Sequence, residues 1–398
     1  MAVLFLIVFV DLLGFGIVIP LLPFYAEHFG AGPAAATWLM GCYSLAQLFF
    51  SPVWGRLSDR HGRRPILLVA LAFSVASYLW LGFADALWML FAARLLAGVG
   101  AGNIAAAQAY VADVTTPENR AKGMGMIGAA FGLGFTVGPA LGGLLAGSAV
   151  TAASAALPAF VAAGLSAVAW LATLLLLPES LKPGEMPAGP AGRLRLAREA
   201  FGQPGLRRLI LLLFLTLTAF AGMETTFALW AQAGFGWGPR QVGWIFFLVG
   251  MVLILVQGGL IGRLTQRFGE ARLVVAGTAL IAAGLLGLTQ ARGLAGVLAA
   301  SALLALGMGL LNPSVNSLLS RRARGDSQGG ILGVAQSAGS LARIVGPAIA
   351  GALFAAQGRN APYYLGAMIM VVVLAFAVGL LREAPPLRAR AAGAAEPR

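Results

Sequence analysis

Apolar runs of about twenty residues fill this chain from end to end, and no other feature restricts its fold so severely. A helix rises about 1.5 Å per residue, so roughly 20 apolar residues cross the ~30 Å hydrocarbon core of a bilayer. Twelve runs are read, at 2–22, 34–54, 65–84, 87–113, 124–147, 156–177, 208–230, 241–261, 273–290, 296–319, 331–356 and 363–381. In lipid every backbone N–H and C=O must be satisfied inside the protein, so these runs predict helices. Composition agrees: 59% of residues are hydrophobic and only 10% charged, whereas soluble domains carry about 25% charge. The 54 glycines do not argue against helix, since Gly and Pro are commoner in membrane helices than in soluble ones. The expected fold class is an all-α integral membrane protein with twelve transmembrane helices.

The net charge of +13 suggests a nucleic-acid partner until its placement is considered. Of 27 Lys and Arg, 22 fall in the even-numbered connections and the C-terminal tail, and three (Arg240, Arg292, Arg359) in the odd-numbered ones. That asymmetry is the positive-inside signal, so both termini are expected on the cytoplasmic side of a bacterial inner membrane. The basic face then meets anionic lipid, not nucleic acid. Residues 1–10 lack a basic leader and continue apolar to Pro20, which reads as a first spanning helix rather than a signal peptide. The single cysteine, Cys42, excludes a disulfide framework and a thiolate metal site. Gly98-x-Gly100-x-Gly102 lies inside an apolar run without a preceding strand, so it is no nucleotide loop. With no Walker lysine, metal-ligand cluster or nucleophile–base spacing, neither an enzyme nor a cofactor is expected. The energy source would be an ion gradient.

The chain also repeats itself. Gly55-Arg-Leu-Ser-Asp-Arg-His-Gly62 returns as Gly262-Arg-Leu-Thr-Gln-Arg-Phe-Gly269, offset by 207. Phe29-Gly30, Pro33 and Trp38 answer Phe235-Gly236, Pro239 and Trp244 at an offset of 206. Gly98, Gly100 and Asn103 match Gly307, Gly309 and Asn312 at 209, and Gly138-Pro139 and Gly143 match Gly346-Pro347 and Gly351 at 208. Small drifts in offset fit one duplicated six-helix unit with indels. The expected domains are a six-helix bundle at 1–177, a cytoplasmic linker at 178–207, a second bundle at 208–381 and a tail at 382–398. Within the linker Leu194, Ala197 and Phe201 share one helical face and Arg195 and Arg198 lie off it, as in a short surface helix; a disordered linker is the alternative.

Four motifs give the chain a family resemblance. The loop from Gly55 through Asp59, Arg60, Gly62, Arg63 and Arg64 resembles the loop 2–3 signature of the major facilitator superfamily. Leu90-x-x-x-Arg94 with Gly98 and Gly100 is similar to that family's helix 4 motif, with Ala97 in place of the usual Gln. Gly134-x-x-x-Gly138-Pro139-x-x-Gly142-Gly143 resembles the helix 5 signature associated with antiporters. The stretch from Asp11 through Gly14, Pro20 and Pro23 is similar to helix 1 of twelve-helix drug:proton antiporters, tetracycline-efflux proteins in particular. The resemblance implies a major facilitator fold of two pseudo-symmetric bundles. It also implies a latch in which Asp59, Arg63 and Asp113 form a charge cluster, with Asp59 facing a helix start near Ser327 to Gly330. Gln266 replaces Asp59 in the second copy, so only the first copy is expected to make that latch. The glycines at 134, 138, 142 and 143 lie three or four residues apart and give a seam without side chains, and Pro139 kinks it.

Four ionisable residues fall inside apolar runs: Asp11, Arg94, Glu224 and Arg343. Each costs about 2.5–3.5 kcal/mol at a helix centre on insertion scales, so each is a functional candidate. The resemblance implies that the first, fourth, seventh and tenth helices line a central cavity. Asp11 is then expected opposite Arg94 and Glu224 opposite Arg343, as proton-coupling pairs or as structural ion pairs. Asn103, Gln108, Asn312 and Asn316 are candidate cavity hydrogen-bonders or helix–helix contacts, and Phe15, Tyr43, Phe131 and Phe220 candidate apolar walls. The leading expectation is a proton-coupled antiporter, acting as a monomer, that exports an amphipathic drug-like compound. A transporter of a polar metabolite such as a sugar is the alternative, with a membrane receptor or enzyme behind it.

Overall fold

The computed structural model describes residues 2–101, 103–147, 152–180, 201–323 and 328–383, and no strand occurs among them. The linker segment 181–200, Ser327 and the tail beyond Glu383 lie outside the described residues, and with them most of the surface-helix reading at Leu194–Arg198. The first run forms α1 (Ala2–Val18) and α2 (Leu22–His28), bent by 41°. Pro20 lacks the N–H that a continuous helix requires, and Pro23 sits in the first turn of α2, where a missing N–H costs nothing. Next come α3 (Pro33–His61) and α4 (Arg63–Gly82), separated only by Gly62. Gly62 has φ +103°, a region that only glycine enters freely.

The fourth run is divided between α5 (Leu87–Gly100) and α6 (Asn103–Val114), and α7 (Pro117–Ala146) and α8 (Ala152–Leu176) follow. Beyond the linker lie α9 (Pro204–Phe235) and α10 (Pro239–Leu255), which continues through a π-helical turn at Val256–Leu260 into α11 (Ile261–Phe268). The chain ends in α12 (Glu270–Gln290), α13 (Leu294–Arg322), α14 (Gln328–Gln357) and α15 (Ala361–Glu383). Among the described residues nine segments are long and apolar enough to cross a membrane, or ten if α1–α2 is one bent span. The other two expected runs lie on α3 and on the broken α5–α6 pair. The repeat is visible in the backbone: Gly30 (φ +76°) is answered by Gly236 (φ +65°) and Gly62 by Gly269 (φ +77°).

Packing groups the described residues into two compact units. One draws on Met1–Gly189, Ala221–Gly250 and Arg343–Pro362, the other on Pro190–Phe220, Met251–Ala342 and Tyr363–Arg398. Lipid tails are as apolar as leucine, so close backbone approach and van der Waals contact, rather than escape from water, hold helices together here. In the first unit α1 packs against α7 and α8, over buried clusters that include Ile17, Leu39 and Leu90 in one and Leu4, Leu67 and Leu71 in the other. Gly98 and Gly100 make α5 smooth enough for α3 and α4: a Cβ on Gly98 would sit 2.7 Å from Ala46 Cβ, and one on Gly100 would meet Phe73. That packing explains the glycine spacing that imitates a nucleotide loop. In the second unit α12 and α13 cross backbone to backbone, a Cβ on Gly277 falling 2.7 Å from the Gly307 carbonyl oxygen.

Candidate functional site

All four intramembrane ionisable residues belong to the first unit. Half-buried Asp11 on α1 accepts a hydrogen bond from Ser74 Oγ of α4 at 3.1 Å. Arg94 on α5 is 2% exposed. Its guanidinium carbon stands 4.5 Å from the ring centre of Tyr43 on α3 and 5.5 Å from that of Phe15 on α1. A cation against two aromatic faces in a desolvated place is held by the ring quadrupoles. Two of its nitrogens, Nε and Nη2, are buried without an acceptor among the described residues. Phe15 and Tyr43 themselves lie 5.0 Å apart, and Phe15 continues through Phe135 at 5.7 Å to Phe131, which stacks on Phe135 at 6.4 Å.

Tyr43 stands near three of the four charges. It lies within electrostatic reach of Asp11, Arg94 and Arg343, Tyr78 within reach of Asp11 and Arg94, and Glu224 within reach of Arg343. Glu224 and Arg343 come from the second copy of the repeat, yet they pack with the first unit. Of the expected cavity residues, Gln108 is exposed on α6, and the side chain of Asn103 lies outside the described residues. In the second unit Asn316 Nδ2 donates to Asn312 Oδ1 at 2.9 Å along α13, while Phe220 is half-buried on α9.

The basic loop folds around one buried arginine. Arg63, 5% exposed, opens α4 and donates to Asp59 Oδ1, to Asp113 Oδ2 at 3.0 Å and to Ser58 Oγ at 3.1 Å. Arg60 is exposed outside this cluster, and a Cβ on Gly55 would meet open space. A residue that sequence reasoning assigned to the linker completes it. Glu179 accepts from the backbone N–H of Arg63 at 2.8 Å and of Arg64 at 3.1 Å, filling the empty donors at the start of α4. Arg64 Nη2 donates to the Leu174 carbonyl at 2.6 Å, and Ser180 Oγ donates to Asp113 Oδ2 at 3.0 Å. An acid beside a basic loop adds nothing to the positive-inside signal, and that was the available clue to Glu179, as it was to Asp59.

The glycine seam on α7 has two faces. Added Cβ atoms on Gly134 and Gly138 would lie 2.7 Å from Leu12 Cβ and from Gly16 Cα, and one on Gly142 would strike Ile17, all on α1. Gly143 points elsewhere, its Cβ position falling 2.6 Å from the Pro239 carbonyl at the start of α10. From the other side a Cβ on Gly243 would lie 2.5 Å from the Pro139 carbonyl, and the Arg240 N–H donates to the Gly147 carbonyl at 3.2 Å. The repeat duplicates this contact: Gly351 on α14, the match of Gly143, sits where a Cβ would fall 3.0 Å from Thr37 Cβ and 3.1 Å from Ala34 Cα at the start of α3. Sequence spacing marks Gly351 only as a repeat position and does not reveal this contact.

Known proteins resemble the chain along most of its length. The family model described as Major Facilitator Superfamily matches residues 4–261 and 232–398. Tetracycline resistance protein, class C, of Escherichia coli is 31% identical over 383 residues, 92% of each chain. Multidrug resistance protein 2 of Bacillus subtilis (strain 168) is 30% identical over 381 residues, 92% of this chain and 91% of its own. Among solved structures the human organic anion transporter MFSD10 (TETRAN) superposes with TM-score 0.71 at 26% identity, covering 94% of this chain and 98% of its own. The nucleoside transporter NupG shares the fold, with TM-score 0.75 at 12% identity over 94% of this chain and 98% of its own.

Proposed function

The chain belongs to the major facilitator superfamily, and from that premise we propose that it is a proton-coupled antiporter exporting an amphipathic drug-like compound. It is a membrane transporter rather than an enzyme. The observation that carries the finer reading is the gathering of all four charges in one packing unit, Asp11, Arg94 and Arg343 near Tyr43 and Glu224 near Arg343. A carboxyl inside a membrane protein gains or loses its proton as burial and neighbouring charge change. A conformational change that moves Asp11 relative to Arg94 therefore changes its hold on a proton, and alternating access supplies such a change. Glu224 with Arg343 forms a second titratable pair. The aromatic row from Tyr43 to Phe131 offers an apolar wall to a planar substrate, and relatives named for tetracycline and multidrug resistance support that substrate class.

In this reading the protein works as a monomer in a bacterial inner membrane with both termini in the cytoplasm. The functional halves are 1–177 and 208–381, the Asp59–Arg63–Asp113 cluster forms a cytoplasmic latch, and the Gly143 face of α7 belongs to the gate. Two measurements test it. A growth-inhibition panel in an efflux-deficient host, with and without a protonophore, identifies compounds that the protein exports. Proteoliposomes with an imposed pH gradient then compare parent and Asp11→Asn, which fixes the side chain in a neutral form. Substrate-coupled proton flux is expected to vanish while substrate binding persists. Undiminished flux in Asp11→Asn removes the assignment and passes it to Glu224.

A further inference from the structure

The second copy of the repeat carries a buried charge at its own basic loop, with the signs exchanged. In the first copy Arg63 follows the left-handed glycine Gly62 and pairs with Asp113 near the end of α6. In the second copy Glu270 follows the left-handed glycine Gly269, at 207 residues from Arg63. Its carboxylate lies 3.3 Å from Arg321 Nε near the end of α13, and it accepts from Ser317 Oγ at 3.4 Å. Arg321 and Arg322 stand 208 and 209 residues beyond Asp113. Glu270 is 1% exposed, more deeply placed than Arg63 at 5%. The same two helix ends are tied in both copies, and acid and base have traded places.

Helix dipoles explain why the two solutions differ. A helix start favours an acid and a helix end favours a base. Glu270 opens α12 and Arg321 lies in the last turn of α13, so both signs are the favourable ones. Arg63 opens α4 and Asp113 lies near the end of α6, both against the dipole, and there Glu179 brings the missing anion to the start of α4. The first arrangement leaves Asp59 with a side chain 44% exposed. The second has Gln266 at that place. Each cluster also holds one flank of the connecting segment: Ser180 Oγ donates to Asp113, and Arg322 Nη1 donates to the Gly205 carbonyl at 3.4 Å.

We infer that Glu270 is a positioning residue for transport: through Arg321 and Ser317 it fixes the end of α13, the helix that carries Asn312 and Asn316. The inference rests on the transport reading, so its test includes a measurement that needs no substrate. Cys42 is the only cysteine, so Cys42→Ala with Asn316→Cys gives a single-thiol reporter on exposed α13 surface, read by its rate of reaction with a soluble maleimide. Glu270→Gln and Arg321→Gln are expected to raise that rate about tenfold. The exchange Glu270→Arg with Arg321→Glu returns it toward the parent value. In a background that keeps Asn316, turnover falls in the single variants with KM unchanged and recovers in the exchange.

The Arg321 side chain is 62% exposed, so Arg321→Gln is expected to fold and keeps the test decisive should changes at Glu270 not fold. The inference is overturned if a folded exchange variant labels like the single variants, or if Arg321→Gln labels at the parent rate. Loss of transport in every protein, parent included, with the labelling pattern as expected, would count against the antiporter reading and leave the clamp standing.

Discussion

Arg94 shows how aromatic faces can hold a single charged residue. Its guanidinium lies against Tyr43 and Phe15, and such contacts contribute about 0.5–2 kcal/mol depending on desolvation. Tyr43→Phe keeps the ring, while Tyr43→Leu removes it. Initial transport rates in proteoliposomes are expected to stay near the parent for the first and to fall clearly for the second. Equal rates in both would show that the ring does not hold Arg94 in its working position. The sequence made Arg94 conspicuous because a charge in an apolar run is rare. It could not show the ring contacts, because Phe15, Tyr43 and Arg94 come from three helices and no spacing relates them. Glu179 was hidden for the same reason: its partner Arg63 is 116 residues away, and a residue just past an apolar run reads as linker.

Helices were the most legible elements, since about twenty apolar residues in lipid leave the backbone no other way to satisfy itself. The run read as one span at 2–22 is bent after Val18, where Pro20 removes a backbone donor. Faces were not. The four glycines of α7 read as one seam, because a three- and four-residue spacing marks a helical stripe without saying what lies on it. The structure divides that stripe. Gly134, Gly138 and Gly142 press α7 onto α1, backbone against backbone, and Gly143 presses it onto α10. Substitutions along one motif should therefore fail in different ways. Gly138→Leu overpacks a fixed contact, at a cost of about 1–3 kcal/mol or more, and lowers the melting temperature together with transport. Gly143→Leu is expected to spare the melting temperature and to stop transport if α7 and α10 separate and meet again as the proposed gate. Thermal unfolding and flux measured on the same preparations check both. Gly143→Leu protein that transports at the parent rate would take that face out of the gate.

At the scale of the whole molecule the two copies keep their helices and differ in small, countable ways. Matched positions stand 206 apart at Pro33 and Pro239 but 207 apart at Gly55 and Gly262. The second copy thus holds one residue more in that interval, where α3 is regular and its counterpart contains the π turn Val256–Leu260. An α-turn closes on the fourth residue and a π turn on the fifth, so a π turn stores one extra residue while the helix on either side stays in register. Gly258 and Gly259 within it meet no neighbour at their Cβ positions. Deleting either one is expected to give a folded protein with an uninterrupted α-helix, checked by thermal unfolding and helical content. Deleting Leu48 from α3, which has no residue in store, would turn the Arg63 loop by about 100° and unfold its charge cluster. The widened turn thus lets two copies of unequal length present the same loop at the same helix end, because a membrane helix absorbs a single extra residue by widening one turn.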